Sequence, residues 1–277
     1  MTDNLDAKKT ILTLTTIPTR LSVDDERGIK ACIESLINQT YDNYEIHFNI
    51  PSINKLTGEE YTIPAWLEAY TKIKIFRTED LGPATKLIPT VERIKDPETI
   101  IIVVDDDLIY EPDMVRTQIE NQIKWTEAIV GYDGLRSRNE DGTFLEYFPD
   151  SRNYYFTSQK FSCKVDILQH YKTISYKRRY FEDDFFDFTK EYYSWSDDLL
   201  MAAYFSSKKR DRIVETHPSI PETNTLEEWL DKGGVETFPV INHTHHETYE
   251  GCNIFRQTDV DDNHNNLYKF IDIGYNK

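Results

Sequence analysis

Asp105, Asp106 and Asp107 stand side by side directly after the apolar run Ile100-Ile101-Ile102-Val103-Val104. Three adjacent carboxylates repel, and each raises the pKa of its neighbours unless a cation is bound. Hard oxygen ligands suit Mg²⁺ or Mn²⁺, ions that typically bridge to substrate phosphates. Capping of the following helix in solvent is the alternative reading. Position favours a metal, because ligands of open α/β sheets gather outside the carboxyl ends of strands. A second acidic pair, Asp197-Asp198, follows Ser196 and precedes Leu199, Leu200, Ala203 and Tyr204 at what reads as a helix start. Helix initiation alone would also choose Ser or Asp there. A third group is His243, His245 and His246, and alternation along an extended segment puts His243 and His245 on one face. Arg20 could hold a diphosphate through a planar bidentate contact, with a surface salt bridge as the alternative. Tyr154, Tyr155, Phe156, Tyr193 and Trp195 could stack on sugar faces, or serve simply as core.

Regular elements must carry these groups. Ile11 to Thr16 is rich in β-branched residues and alternates as a strand does, ending at Ile17-Pro18. Ile29, Cys32, Ile33, Leu36 and Ile37 recur at helical spacing, and Tyr44 to Ile50 reads as a second strand stopped by Pro51. Strand, helix, strand implies a parallel pair with a crossover helix. Ile73 to Arg77 is a further short strand, Ala84 to Ile94 a helix, Ile100 to Val104 a strand apolar on both faces, and Pro112 to about Trp125 a helix. Such alternation is the pattern of an open α/β sheet. Beyond residue 126 the texture changes to glycines, aromatics and charges. Cys163 to Tyr180 reads as a strand or short helix running into a solvated basic patch, Lys177-Arg178-Arg179.

The chain has 277 residues, which suits one large domain: a 10–125 half and a 126–277 half within a single 1–277 unit. It carries 49 Asp and Glu against 32 Lys and Arg, a formal charge of −17. That surface repels nucleic-acid backbones and anionic lipid, so no nucleic-acid partner is expected. A phosphate-bearing small ligand stays open, because a bound divalent cation reverses the local sign. No stretch approaches the roughly 20 apolar residues of a membrane helix, and MTDNLDAKK lacks the apolar centre of a signal peptide. The three cysteines, Cys32, Cys163 and Cys252, are odd in number and far apart, as reduced buried thiols would be. A soluble, cytoplasmic chain is the expectation, and a viral or bacterial chain would look the same.

Several segments, in order, resemble the glycosyltransferases of the GT-A fold, above all the family 2-like enzymes that act on nucleotide sugars. Thr16-Ile17-Pro18-Thr19-Arg20 looks like the nucleotide-contacting loop, and Ser35-Leu36-Ile37-Asn38-Gln39-Thr40-Tyr41 like the end of the family's first helix. Leu81-Gly82-Pro83-Ala84-Thr85-Lys86-Leu87 resembles the segment that sets a lysine near the diphosphate, and Val104-Asp105-Asp106-Asp107 the DxD metal motif. Val165 to Gln169 followed by Tyr176-Lys177-Arg178 resembles an acceptor-side pattern, with His170 and Thr173 where the family's loop carries glycines.

This resemblance implies an open, mostly parallel sheet flanked by helices, with a Rossmann-like nucleotide-binding half and an acceptor-binding half. It implies a metal-dependent, inverting enzyme moving a sugar from a nucleoside diphosphate donor, UDP-linked, to a glycan or other hydroxyl acceptor. Asp105 and Asp107, with His243 or His245, would hold Mn²⁺ or Mg²⁺. Thr16, Pro18, Arg20, Lys86, Asp105 and Asp106 would contact the donor. The Asp197-Asp198 pair would supply the catalytic base, Asp198 first, since an attacking hydroxyl must lose its proton. A metal-dependent nucleotidyltransferase and a non-catalytic nucleotide-sugar-binding scaffold are the alternative functions.

Overall fold

A computed structural model of the protein describes residues 9–22, 29–135, 155–157, 162–193 and 196–215. Strand β1 (Thr10–Leu14) lies wholly inside, and its alternation sends Ile11 into one apolar layer and Leu12 and Leu14 into the other. Helix α1 (Pro18–Leu21) is a single turn opened by Pro18, whose fixed φ suits the first helical position. Helix α2 (Lys30–Ile37) buries Cys32, Ile33 and Leu36 against the sheet and returns the chain to β2 (Tyr44–Pro51). The two strands pair in parallel from Thr10 opposite Tyr44 to Leu14 opposite Phe48. Helix α3 (Ala65–Glu68) then leads to the edge strand β3 (Ile73–Thr78), parallel to β2.

The chain next crosses back. A 3₁₀ turn at Ala84–Lys86 precedes α4 (Ile88–Arg93), so the helix expected from Ala84 divides in two. Pro89 has no N–H to give and fits only within the first turn of a helix, which fixes the start of α4 at Ile88. Strand β4 (Ile100–Val103) pairs in parallel with β1 on the side away from β2. Strand order therefore reverses between β1 and β4, and that crevice is where ligands of open α/β sheets bind.

Helix α5 (Met114–Lys124) follows, then the short strands β5 (Ile129–Gly131), β6 (Asp133–Leu135), β7 (Tyr155–Thr157), β8 (Cys163–Lys164), β9 (Ile167–Leu168) and β10 (Ile174–Lys177). Helices α6 (Phe185–Glu191) and α7 (Asp197–Ser207) and strand β11 (Arg212–Val214) complete the described chain. The main sheet runs β3-β2-β1-β4-β10-β5-β11-β8, with β10 and β8 antiparallel to their neighbours, and β7-β6-β9 forms a small antiparallel sheet. Cys163 to Lys177 thus holds three short strands rather than an α-helix, and Arg178–Tyr180 is a 3₁₀ turn. No helix among the described residues is long and apolar enough to cross a membrane.

Lys177-Arg178-Arg179 is not the solvated patch its composition suggests. Lys177 Nζ donates to the Thr126 carbonyl at 3.3 Å, and Arg178 Nε donates to the carbonyls of Val91 and Ile94 at 2.9 and 2.8 Å. Those carbonyls end α4, where the helix itself offers no donor.

Gly134 marks a close approach of β6 to β9. A Cβ there would stand 2.8 Å from the Ile167 carbonyl oxygen and 2.8 Å from Val165 Cγ2, and neither can withdraw cheaply. Gly134→Ala is expected to lose about 1–3 kcal/mol, the usual cost of overpacking, as read by urea denaturation. An unchanged midpoint would mean that the two strands separate easily.

Candidate active site

The carboxyl ends of β1 and β4 deliver the first set of groups. Two residues past β1, Thr16 Oγ1 donates to Asp106 Oδ2 at 2.5 Å. Arg20, on α1, pairs with Asp106 Oδ1 through one terminal nitrogen and reaches Asp107 Oδ2 at 3.2 Å through the other. Both oxygens of the buried Asp106 are therefore engaged by the chain itself, and Arg20 contacts aspartates rather than standing ready for an anion. Pro18 sets the start of the turn that carries Arg20.

Asp105 is fixed through its backbone. Its N–H donates to Tyr110 Oη at 2.8 Å, and its carbonyl lies 3.2 Å from the same hydroxyl. Cys32 Sγ sits 3.4 Å from that carbonyl, and the thiol is pushed well up by burial and then by the Asp106, Asp107 and Asp105 charges, so it stays protonated. The Asp105 side chain accepts from Lys86 Nζ at 2.7 Å.

Lys86 is the hinge of the site, and buried polar groups hold it there. Thr13 Oγ1 donates to the Lys86 carbonyl, Asn49 Nδ2 reaches the same oxygen at 3.2 Å, and Thr90 Oγ1 lies 2.7 Å from Thr13 Oγ1. With its backbone pinned, the Lys86 side chain, only 7% exposed, bridges Asp105 and Asp197 Oδ2, the latter at 2.9 Å. The Asp197 contact is an ion pair at close range without hydrogen-bond geometry. Burial opposes the Lys86 charge, but Asp105, Asp197 and Asp198 outweigh it and hold its pKa above the ordinary lysine value.

Asp197 and Asp198 open α7, whose N-cap is Ser196: its hydroxyl accepts from the Leu199 N–H at 3.3 Å. His170, in the turn between β9 and β10, faces both aspartates. Its Nδ1 lies 2.6 Å from Asp198 Oδ1 and 3.2 Å from Asp197 Oδ2, its backbone N–H donates to Asp198 Oδ1 at 2.9 Å, and its Nε2 lies 2.7 Å from Tyr176 Oη. Burial drives Asp197 toward its neutral form, yet Lys86 and His170 prevail and hold it far below the usual carboxylate range. Burial likewise works against the imidazolium, but Asp197 and Asp198 lift His170 to about 9. Asp105, Lys86, Asp197, His170 and Asp198 thus form a line of alternating charge.

His170, Asp197 and Asp198 bring three metal-ligating atoms within 4.8 Å of one another. Two cations, Lys86 and the imidazolium, already neutralise that pair of carboxylates, and a protonated ring has no lone pair for a metal. The Asp105–Asp107 end differs. Burial, then the Asp106 and Asp105 charges, push Asp107 up to about 6 in spite of Arg20 and Lys86. Carboxylates crowded beyond what the local cations neutralise are a donor set that fits a hard divalent ion. His243 and His245, the remaining expected ligands, lie outside the described residues, as do Tyr154 and Trp195. His170, Tyr110 and Tyr176 were not among the expected site residues. The one hint was His170 replacing a glycine in the acceptor-side pattern.

The His170 charge has a stability consequence. Its folded pKa is raised, so its contribution is complete below an unfolded value near 6.5 and is lost as pH rises through about 9. Urea denaturation between pH 6 and 10 should show a fall on the order of 3 kcal/mol that His170→Gln removes. A wild-type curve flat across that window would mean that the buried ring is neutral.

The family model for glycosyl transferase family 2 matches residues 16–185, well over half of the chain and the part that carries Thr16, Arg20, Lys86, Asp105 to Asp107 and His170. The chain belongs to glycosyl transferase family 2. As a family 2 glycosyltransferase it has the expected GT-A-like sheet, mostly parallel and flanked by helices. No curated protein matches it. Among solved structures, S. aureus TarS 1–349 in complex with UDP is similar at 14% identity and a TM-score of 0.46, over 72% of this chain and 55% of that one. The same TarS piece with UDP-GlcNAc gives 12% identity and a TM-score of 0.47, over 79% of this chain and 60% of the other. The 4-diphosphocytidyl-2C-methyl-D-erythritol synthase of Anaerococcus prevotii DSM 20548 gives 13% and 0.48, over 83% of this chain and 96% of that one. The chain spans little more than half the length of the TarS chain first matched.

Proposed function

We propose that the protein is a divalent-metal-dependent, inverting glycosyltransferase that moves a sugar from a nucleoside diphosphate donor, UDP-linked, to a hydroxyl acceptor. One observation carries this reading: the line of ion pairs from Asp105 to Asp198 joins a carboxylate cluster suited to a metal and diphosphate to a carboxylate suited to a proton. Asp105 and Asp107 would hold Mn²⁺ or Mg²⁺, which supplies positive charge to the leaving diphosphate. Arg20 and Lys86, now paired with aspartates, lie beside that cluster and can turn part of their hydrogen bonding to phosphate oxygens. Thr16 and Pro18 shape the loop over the nucleotide.

Asp198 takes the proton. Its Oδ1 is held twice by His170, its side chain is 27% exposed, and Oδ2 is left out of both contacts. As the acceptor oxygen bonds to the anomeric carbon and the bond from that carbon to the diphosphate oxygen breaks, the hydroxyl proton passes to Asp198. Asp197, fixed between Lys86 and His170, orients rather than reacts.

The test is a thermal-shift series with UDP, GDP, CDP and their sugar conjugates, with and without Mn²⁺, followed by product analysis. Binding to the folded state raises apparent stability, and a ligand at 100 times its Kd adds about 2.7 kcal/mol. UDP compounds should stabilise the protein only with metal, and Asp105→Asn should abolish that response. Stabilisation that ignores the metal, or pyrophosphate as the released product, would sink the reading.

A further inference from the structure

We propose that His170 is a positioning residue for the base: a buried imidazole, clamped between Asp198 and Tyr176, that fixes one oxygen of Asp198 so that the other faces the acceptor. This rests on the reading of Asp198 as the base. The ring is 1% exposed, so it reaches no substrate and acts only through Asp198. Both of its nitrogens are occupied, Nδ1 by Asp198 Oδ1 at 2.6 Å and Nε2 by Tyr176 Oη at 2.7 Å. A carboxylate only accepts, so Nδ1 carries a proton and donates to Asp198. The backbone N–H of the same residue donates to the same oxygen, which makes a two-point hold on a single carboxylate atom.

The surroundings lock the ring in turn. Tyr176 lies fully buried on β10, stacked on Phe205 at 5.5 Å and tilted against Phe181 at 5.3 Å. The charged or titratable groups that face the imidazole are Asp197 and Asp198 from α7 and Tyr176 from β10. Lys86 stands behind Asp197, and Arg212 of β11 acts on Tyr176 from further off. Two anions against one ring account for its raised pKa and keep Nδ1 protonated at neutral pH. A glycine at this place could supply the backbone N–H but not the second donor. The side chain is therefore what turns Asp198 from a mobile helix-end carboxylate into an oriented one, and misplacing a reacting group by about 1 Å can cost 10²-fold.

Two isosteric variants separate positioning from mere support. The amide nitrogen of Asn falls near the place of imidazole Nδ1, that of Gln near Nε2. His170→Asn therefore keeps the donor to Asp198 and gives up Tyr176, and His170→Gln does the reverse. With Mn²⁺ and a UDP-glucose, UDP-galactose and UDP-GlcNAc panel, UDP release is followed with water as acceptor. His170→Gln should lose about 10²-fold in kcat at unchanged donor KM, while His170→Asn stays within roughly threefold of wild type. Equal losses in the two variants, or a kcat for His170→Gln equal to wild type, overturn the proposal.

Asp198→Asn is assayed beside them. If it keeps wild-type activity, the base reading falls and takes the proposal with it; if it is inactive while His170→Gln is not, only the positioning role falls. Should either His170 variant fail to fold, ¹⁵N NMR of the wild-type imidazoles decides. Nδ1 of His170 should bear a proton at pH 7, and a bare Nδ1 overturns the clamp.

Discussion

Asp198→Asn is expected to lower the rate of sugar transfer by about 10²- to 10⁴-fold, the range general-base catalysis contributes, while nucleotide binding stays as it was. The asymmetry follows from the geometry. Asp198 sits on the far side of Asp197 and Lys86 from the Asp105 carboxylate, so an amide in its place leaves the donor end of the site untouched. An amide oxygen can still accept from the His170 backbone and ring, which keeps α7 and the turn before β10 in place. What disappears is the second basic oxygen. The loss should therefore fall on kcat, with donor KM and the UDP-induced rise in Tm within about twofold of wild type. Asp197→Asn should behave otherwise, because its carboxylate counters two buried cations: there the loss should appear first as lowered stability. If Asp198→Asn retains most of its activity, another group takes the proton.

How much of this was legible in the sequence varies with how local the cause is. Strands β1, β2 and β4 were readable because each shows its own apolar pattern and a Pro or Asp stop. The triplet Asp105–Asp107 was readable because three like charges after a buried strand require an explanation of their own. Helix α6 was not, since it is only seven residues long, and two turns carrying Phe185, Phe186 and Phe188 against Asp187, Lys190 and Glu191 are too few to establish a period. Strand β10 was obscured by Ser175 and Lys177, polar residues that are buried because Gln118 and Thr126, more than fifty positions earlier, accept from them. The same limit applies to the site. Aspartates announce themselves, whereas the burial of Lys86 and His170 depends on partners from separate segments, and no spacing rule connects residues 86, 105, 170 and 197. The departure from glycine at position 170 was visible; its partner on α7 was not.

Lys86→Met is expected to destabilise the protein by about 3–5 kcal/mol, the cost of removing one member of a buried ion pair and stranding the other. Here two carboxylates are stranded, Asp105 and Asp197, of which Asp197 is the more deeply enclosed. For a chain of this size the change corresponds to roughly 10 °C in Tm. The pH dependence gives the cause away. The pKa of Asp197 is depressed in the fold, so its contribution is present above an unfolded value near 3.9 and disappears as pH falls through the folded one. Lys86 is raised, so its share holds below about 10.4 and is lost only at higher pH. The deficit of Lys86→Met should therefore be greatest from about pH 5 to 8 and shrink in acid, where Asp197 takes up a proton in the variant well before it does in the wild type. Adding Asp197→Asn to Lys86→Met should restore much of the lost stability, because a neutral pair demands no counter-charge. A solvated helix lysine would cost less than about 0.5 kcal/mol on replacement. A loss that small, with no coupling to Asp197, would break the electrostatic link between Asp105 and Asp198.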